Sequence, residues 1–206
     1  MKRRVSKSDK NRWADHYTHK ARKEDYPARS VYKLQEIQKK TGLIRKGNRV
    51  LDLGCAPGSW LVYAGKLVGP EGRVVGVDLK PVTIALPPNA AAHVGDLLNP
   101  TDAIASAMEG RFNVVLSDMA PATTGNKALD AIRSAGLAES ALHIACERLA
   151  AGGMFACKIF QGSDFEPFVA AVRAEFEKVK IFKPQSSRKA SKEIFVIGMG
   201  RKIGGQ

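Results

Sequence analysis

Lys158 stands inside an otherwise apolar run, MFACKIF, where an ammonium is costly to bury without partners. Burial and a nearby second cation push a lysine's pKa down, which suits a base, while neighbouring acids pull it back up. The run alone leaves the net value open. The chain also places acids where apolar runs give way to turns: Asp78 closes VVGVD, Asp96 closes HVGD and Asp118 closes FNVVLSD. A fourth, Asp52, belongs to LDLGCAPGSW over 51–60, a glycine turn between an apolar run and a helical pattern.

Glycines in such a turn let a ligand approach the backbone, because no Cβ intrudes. The G-x-G-x-x-G fingerprint of a dinucleotide site is absent, and Pro57 occupies a place in the turn. Asp52, read as part of the loop, would repel a pyrophosphate and suit a cationic ligand. Asp78 is placed to accept hydrogen bonds from the two hydroxyls of a ribose. Together they point to S-adenosylmethionine, whose sulfonium and ammonium are both positive. Gly54 and Gly58 taken alone are equally plain turn glycines, and Trp60 reads as core or as cofactor wall.

Elements must bring these residues together. ARSVYKLQEIQKK has Val31, Leu34 and Ile37 at helical spacing with Gly42 as a stop. RVLDLG, VVGVD, HVGD, FNVVLSD, MFACKIF, KIFKP and EIFVIGMG read as strands or strand ends. SWLVYAGKLVG, a long helix LDAIRSAGLAESALHIACERLAAGG closed by Gly152 and Gly153, and DFEPFVAAVRAEFEKV read as helices. Strands alternating with helices predict an α/β fold, a mostly parallel sheet with helices on both faces. In such sheets ligands bind beyond the carboxyl ends of the strands, where the acids lie.

The 206 residues suffice for one domain with a single core. Lys and Arg outnumber Asp and Glu by 33 to 20, a formal charge of +13, so polyanions are the first partners to consider. Positions 2–23 carry nine basic residues against Asp9 and Asp15, interleaved with Trp13, His16, Tyr17 and His19. We read 1–24 as a basic arm that pairs phosphates and stacks bases, and 25–206 as the catalytic domain. Cys55, Cys146 and Cys157 have no disulfide or zinc spacing and read as packing residues or free thiols, and no metal motif is present. His93 and His143 have no triad partners. No apolar run reaches the ~18 residues of a membrane span and no signal-peptide core follows the basic start, so a cytoplasmic monomer is expected.

DLGCAPGSW, VGVDL, GDLLN, LSDMAP, CKIFQG and SKEIFVI, with ARSVYKL ahead of them, resemble the FtsJ-type large-subunit ribosomal RNA methyltransferases over about 25–198. The resemblance implies a Rossmann-like methyltransferase fold with Gly58, Trp60, Asp78, Asp96 and Asp118 lining the methyl donor, Asp96 near the adenine. It also marks a tetrad of Lys33, Asp118, Lys158 and Glu193. A ribose 2'-hydroxyl is a poor nucleophile near neutrality and needs help losing its proton. We assign Lys158 as general base, Asp118 as the group that positions it and borders the donor, and Lys33 and Glu193 as residues that hold the ribose and the lysine pair. Met119-Ala120-Pro121 lacks the aromatic that amino methyltransferases place beside the strand-end acid, which favours an oxygen target. The implied substrate is a uridine of 23S rRNA in the large subunit. A tRNA ribose methyltransferase, a non-catalytic RNA-binding assembly factor and, more weakly, a nicotinamide dehydrogenase are the competing readings.

Overall fold

The computed structural model describes residues 16–188 and 190–203. Five strands run parallel: β1 (Arg49–Leu53), β2 (Arg73–Asp78), β3 (Ala90–Val94), β4 (Phe112–Ser117) and β5 (Leu149–Phe160). β6 (Phe176–Phe182) and β7 (Glu193–Arg201) close one edge, with β7 antiparallel to both neighbours. The seven strands form one sheet in the order β3-β2-β1-β4-β5-β7-β6. Helices are α1 (16–23), α2 (Val31–Thr41), α3 (Ser59–Val68), α4 (Asp102–Ala107), α5 (Lys127–Arg148) and α6 (Phe165–Glu175).

Alternate residues of a strand face opposite sides, and this parity sorts the core into two layers. Leu51, Leu53, Val115, Phe155, Cys157 and Ile159 pack with residues of α5 and α6. Val50, Val114, Leu116, Ala156, Phe195 and Ile197 pack with Leu34 and Ile37 of α2 and Leu61 and Ala64 of α3. Counting on by two from this second set reaches Asp52, Asp118, Lys158 and, backwards from Phe195, Glu193. The polar residues therefore continue the face that α2 covers, and α2 carries Lys33.

Several boundaries differ from the sequence reading. Asp52 lies within β1, between Gly76 and Leu116 of the flanking strands, and not in the loop. The long helix ends at Arg148, because Leu149 already pairs with Phe112, and Gly152 and Gly153 sit inside β5. α6 stops at Glu175. FEKVKIF is an edge strand whose Phe176 stacks on Phe155 at 5.8 Å between ring centroids, while Lys178 and Lys180 are exposed. Such edge lysines discourage pairing with a further strand. The short helix α4 carries no strong apolar period and was not foreseen.

The basic segment divides. Residues 1–15 lie outside the described residues. From residue 16 it forms α1, with Ala21 buried beside Tyr26, Val31 and Tyr32, and with Tyr17 against Tyr32 at 5.2 Å. This half of the segment belongs to the packed body. Among the described residues no helix is long and apolar enough to cross a membrane.

Gly76 is central in β2, and a Cβ there would stand 2.7 Å from both Cys55 Sγ and Leu61 Cδ2. Overpacking of this kind costs about 1–3 kcal/mol. Gly76→Ala is expected to lower the urea midpoint with the denaturant slope unchanged. A wild-type midpoint would mean that α3 rides freely over β2.

Candidate active site

The strand ends and α2 assemble four charges. Lys158 projects from β5 with only 6% exposure, and its Nζ lies 2.9 Å from Asp118 Oδ1. The same Nζ donates to the Asp118 backbone carbonyl at 2.5 Å. Lys33 Nζ donates to Glu193 Oε2 at 2.8 Å and lies 3.5 Å from Asp118 Oδ1. Two ammoniums are thus matched by two carboxylates, with one Asp118 oxygen shared by both lysines. Burial alone would lower the Lys33 pKa, but the charges of Asp118 and Glu193 outweigh it and hold the value above the ordinary one. For Asp118, burial pushes the pKa up, and Lys158 and then Lys33 more than reverse it, leaving the carboxyl below its usual range. Lys158 Nζ thus meets Asp118 twice, as an ion pair with its carboxylate and as a hydrogen-bond donor to its backbone carbonyl.

Beside this network lies a cavity of about 340 Å³ at the carboxyl ends of the strands. Asp78, Asp96 and Asp118 line it, with Gly54, Ala56 and the apolar Leu79, Leu97, Leu98, Met119 and Leu137. A larger hollow of about 650 Å³ opens between Gly65, Arg73 and Pro87, at the opposite ends of β2 and β3. The strand-end rule and the shared Asp118 favour the smaller cavity. There Asp78 accepts from Ala56 N at 2.9 Å and Lys80 N at 2.8 Å, which fixes the carboxylate and leaves each oxygen a further lone pair. Asp96 accepts from Leu98 N at 2.8 Å and from the Asn99 side chain, and these bonds lower its pKa.

Asp52 tests whether the residues fit a cationic ligand. It is 1% exposed, and neither carboxylate oxygen has a hydrogen-bond partner among the described residues. Burial, then the charges of Asp118 and Asp78, push its pKa well above the ordinary value. The cavity wall itself carries Asp78, Asp96 and Asp118, a lining ill matched to an anion and suited to S-adenosylmethionine, whose sulfonium and ammonium are positive. Gly54 has a reason of its own: its φ is 80°, and a Cβ would stand 2.6 Å from Met119 Cγ.

Not every residue singled out from the sequence reaches this cavity. Gly58 caps α3 with φ 105°, facing Val82 and Ile84. Trp60 is 3% exposed, donates its indole N–H to Ser30 O at 2.8 Å and lies 6.0 Å from the Phe195 ring. It stands as a pillar joining α3, the start of α2 and β7. The five apolar lining residues escaped sequence reasoning, although Leu79, Leu97, Leu98 and Met119 each follow a strand-end acid by one or two positions. Ser59 was also missed; its Oγ accepts from Ala28 N at 2.8 Å and ties α2 to the glycine turn. Cys55 and Cys157 are buried free thiols, and burial pushes Cys157 up to about 12. His143 is exposed beside Glu147. Among the described residues no group of His, Cys, Asp and Glu could hold a metal ion.

The sequence profile of the FtsJ-like methyltransferases matches residues 26–201. The chain belongs to this family. A relative named ribosomal RNA large subunit methyltransferase E, from Desulforapulum autotrophicum, is 59% identical across 96% of this chain and 97% of its own. One of the same name from Desulfosudis oleivorans is 52% identical across 98% and 97%. Among solved structures, a ribosomal RNA methyltransferase of Plasmodium falciparum superposes with a TM-score of 0.74 at 26% identity, covering 85% of this chain and 98% of that one. Fibrillarin of Aeropyrum pernix, solved with bound S-adenosylmethionine, shares the fold at a TM-score of 0.57 and 17% identity, over 82% of this chain and 76% of its own. Methyl transfer is the reaction of this FtsJ-like enzyme, and S-adenosylmethionine is its donor.

Asp52→Asn tests the cationic reading. The substitution removes a carboxylate that burial already disfavours, so the free chain should melt no lower than wild type near neutral pH. Donor affinity should fall about tenfold, roughly 1.4 kcal/mol, by calorimetry. Unchanged affinity would show that Asp52 does not sense the donor.

Proposed function

We propose that this chain is an S-adenosylmethionine-dependent 2'-O-ribose methyltransferase that acts on a uridine of 23S rRNA in the large ribosomal subunit, as a cytoplasmic monomer. The observation that carries the reading is Lys158, buried on β5 and fixed by Asp118 at the edge of the donor cavity. A purely RNA-binding assembly factor has no use for a lysine in that position. The names of the relatives, the charge of +13 and the basic segment ahead of residue 24 support a ribosomal RNA substrate. The absence of an aromatic after Asp118 supports oxygen as the acceptor.

The donor supplies a methyl group already activated by its positive sulfonium. What the chain must do is hold a 2'-hydroxyl in line with that methyl and receive its proton. Asp118 fixes Lys158 Nζ through its carboxylate and its backbone carbonyl, so one Nζ direction points to the hydroxyl. Lys158 must first release one proton to water; as the hydroxyl oxygen takes the methyl and the carbon–sulfur bond breaks, the freed lone pair of Nζ receives the hydroxyl proton and restores the ammonium that Asp118 holds. Lys33 stays protonated, held by Glu193 and Asp118, and its charge favours oxygen bearing partial negative charge. Proton transfer of this kind contributes about 10²–10⁴-fold, and alignment adds to it.

Lys158→Ala is therefore expected to lower methyl transfer by at least about 10²-fold while donor affinity by calorimetry stays within a few-fold of wild type. Loss of donor binding would contradict the role, since the lysine is assigned to the hydroxyl.

A further inference from the structure

The edge strand β6 sorts its charges by face. Lys178 and Lys180 stand opposite Met199 and Ile197 of β7, and Phe182 stands opposite Phe195. Residues directly opposed across antiparallel strands share a face, so Lys178, Lys180 and Phe182 lie on the side where Phe195 and Ile197 pack with α2. Glu177 alternates to the other side, against Gly200. From α2, Lys40 of the last turn brings its Nζ over the Phe182 ring, 5.6 Å from the centroid. Three lysines from two elements thus follow one line along the sheet.

That line begins at the tetrad. Lys33 Nζ lies 5.9 Å from the centre of the Phe195 ring, and Phe195 is the cross-strand partner of Phe182. A strand carries the chain from Phe182 about 7 Å to Lys180 and about 14 Å to Lys178. Lys40, Lys178 and Lys180 are exposed. Unlike Lys33 and Lys158, none of them has an acid at ion-pair distance among the described residues. Glu36, the acid on the same helix as Lys40, is taken up by the backbone amides of Gln185 and Ser186, from which it accepts at 2.7 and 2.9 Å. Protection of a sheet edge calls for charge but not for one sign. A row of positive charge on one face, starting beside the reacting centre, calls for a polyanion.

We propose that Lys40, Lys178 and Lys180 form a track for the sugar–phosphate backbone of the substrate RNA, flanking the ribose presented to Lys158. The inference rests on the RNA-methylating reading above and gives that reading the path of the neighbouring strand. Lysine suits a track, because its ammonium is a point charge on a flexible stem and follows phosphates without demanding one geometry. Such contacts position the RNA and carry no sequence information, so the track sets where the strand lies and leaves the choice of nucleotide to the site.

Reversing the charge of Lys178 and Lys180 together, Lys178→Glu with Lys180→Glu, separates the track from edge protection, since the edge stays charged while its sign changes. Edge protection alone predicts a variant that stays monodisperse by light scattering and keeps the wild-type KM for large subunits. The track predicts a KM higher by about tenfold or more, with kcat at saturation and donor affinity within about twofold of wild type. In parallel, Lys178→Gln with Lys180→Gln, which adds no repulsion, should reduce the slope of log affinity against log salt for protein-free ribosomal RNA by roughly 1.4–1.8, two phosphate contacts. A wild-type KM in the first variant, or a wild-type salt slope in the second, overturns the track. So does a loss confined to assembled subunits while protein-free RNA binds as before, which would assign the row to an acidic protein surface. In each of these cases wild-type transfer to RNA leaves the functional reading standing. A wild-type chain that transfers no methyl to any RNA overturns that reading, and the track with it.

Discussion

One oxygen of Asp118 is shared by two buried ammoniums, and the site depends on that sharing. Neither Lys33 nor Lys158 could be taken from water at this depth without a carboxylate, and removing one partner of a buried pair typically costs about 3–5 kcal/mol. With Glu193 as the second acid, the network comes out neutral, two charges of each sign. Neutrality explains why the residues can lie together. It does not explain why they do, because a well-packed apolar group would serve stability as well. Chemistry is the better account. Asp118 faces two ways, toward the lysines and into the strand-end cavity, so in the proposed function the group that orients the base also borders the methyl donor.

The sheet makes this possible through parity and topology. Asp118 follows β4, Lys158 sits near the end of β5, and Glu193 opens the antiparallel β7 opposite Phe160. Strands β4, β5 and β7 are neighbours, so residues far apart in sequence converge at one end of the sheet. The reversal of β7 matters, since it places the beginning of that strand beside the ends of the parallel ones. α2 then lays Lys33 across the group, held down by Leu34 and Ile37 on the sheet and by Ser59, which ties its start to the glycine turn. Trp60 serves the same assembly through its bond to Ser30.

How much was legible in the sequence follows from how local each signal is. Lys158 was conspicuous because its neighbours are apolar, and Asp78, Asp96 and Asp118 because each ends a strand pattern. Lys33 was not legible from its own helix, where Lys39 and Lys40 suggest a solvent face. Its burial comes from Asp118 and Glu193, which are remote in sequence, and only the family resemblance pointed to it. Asp52 was misread as a loop residue because its run ends in a glycine turn. Its isolation inside β1 required the flanking strands to be known. The end of α5 was missed for a similar reason: Leu149 has the composition of a helix end and is claimed by pairing with Phe112. Glu36 gave no signal at all, since it accepts from the backbone amides of Gln185 and Ser186 in a distant segment.

The most direct test of the central claim is transfer of labelled methyl from S-adenosylmethionine to large subunits, small subunits and tRNA prepared from cells lacking this protein. The account predicts label on large-subunit RNA alone, at one ribose that resists alkaline cleavage. Label on tRNA alone would contradict the substrate while keeping the chemistry. No label in spite of tight RNA binding would contradict the account as a whole, for it would leave two buried lysines and their shared carboxylate with nothing to do.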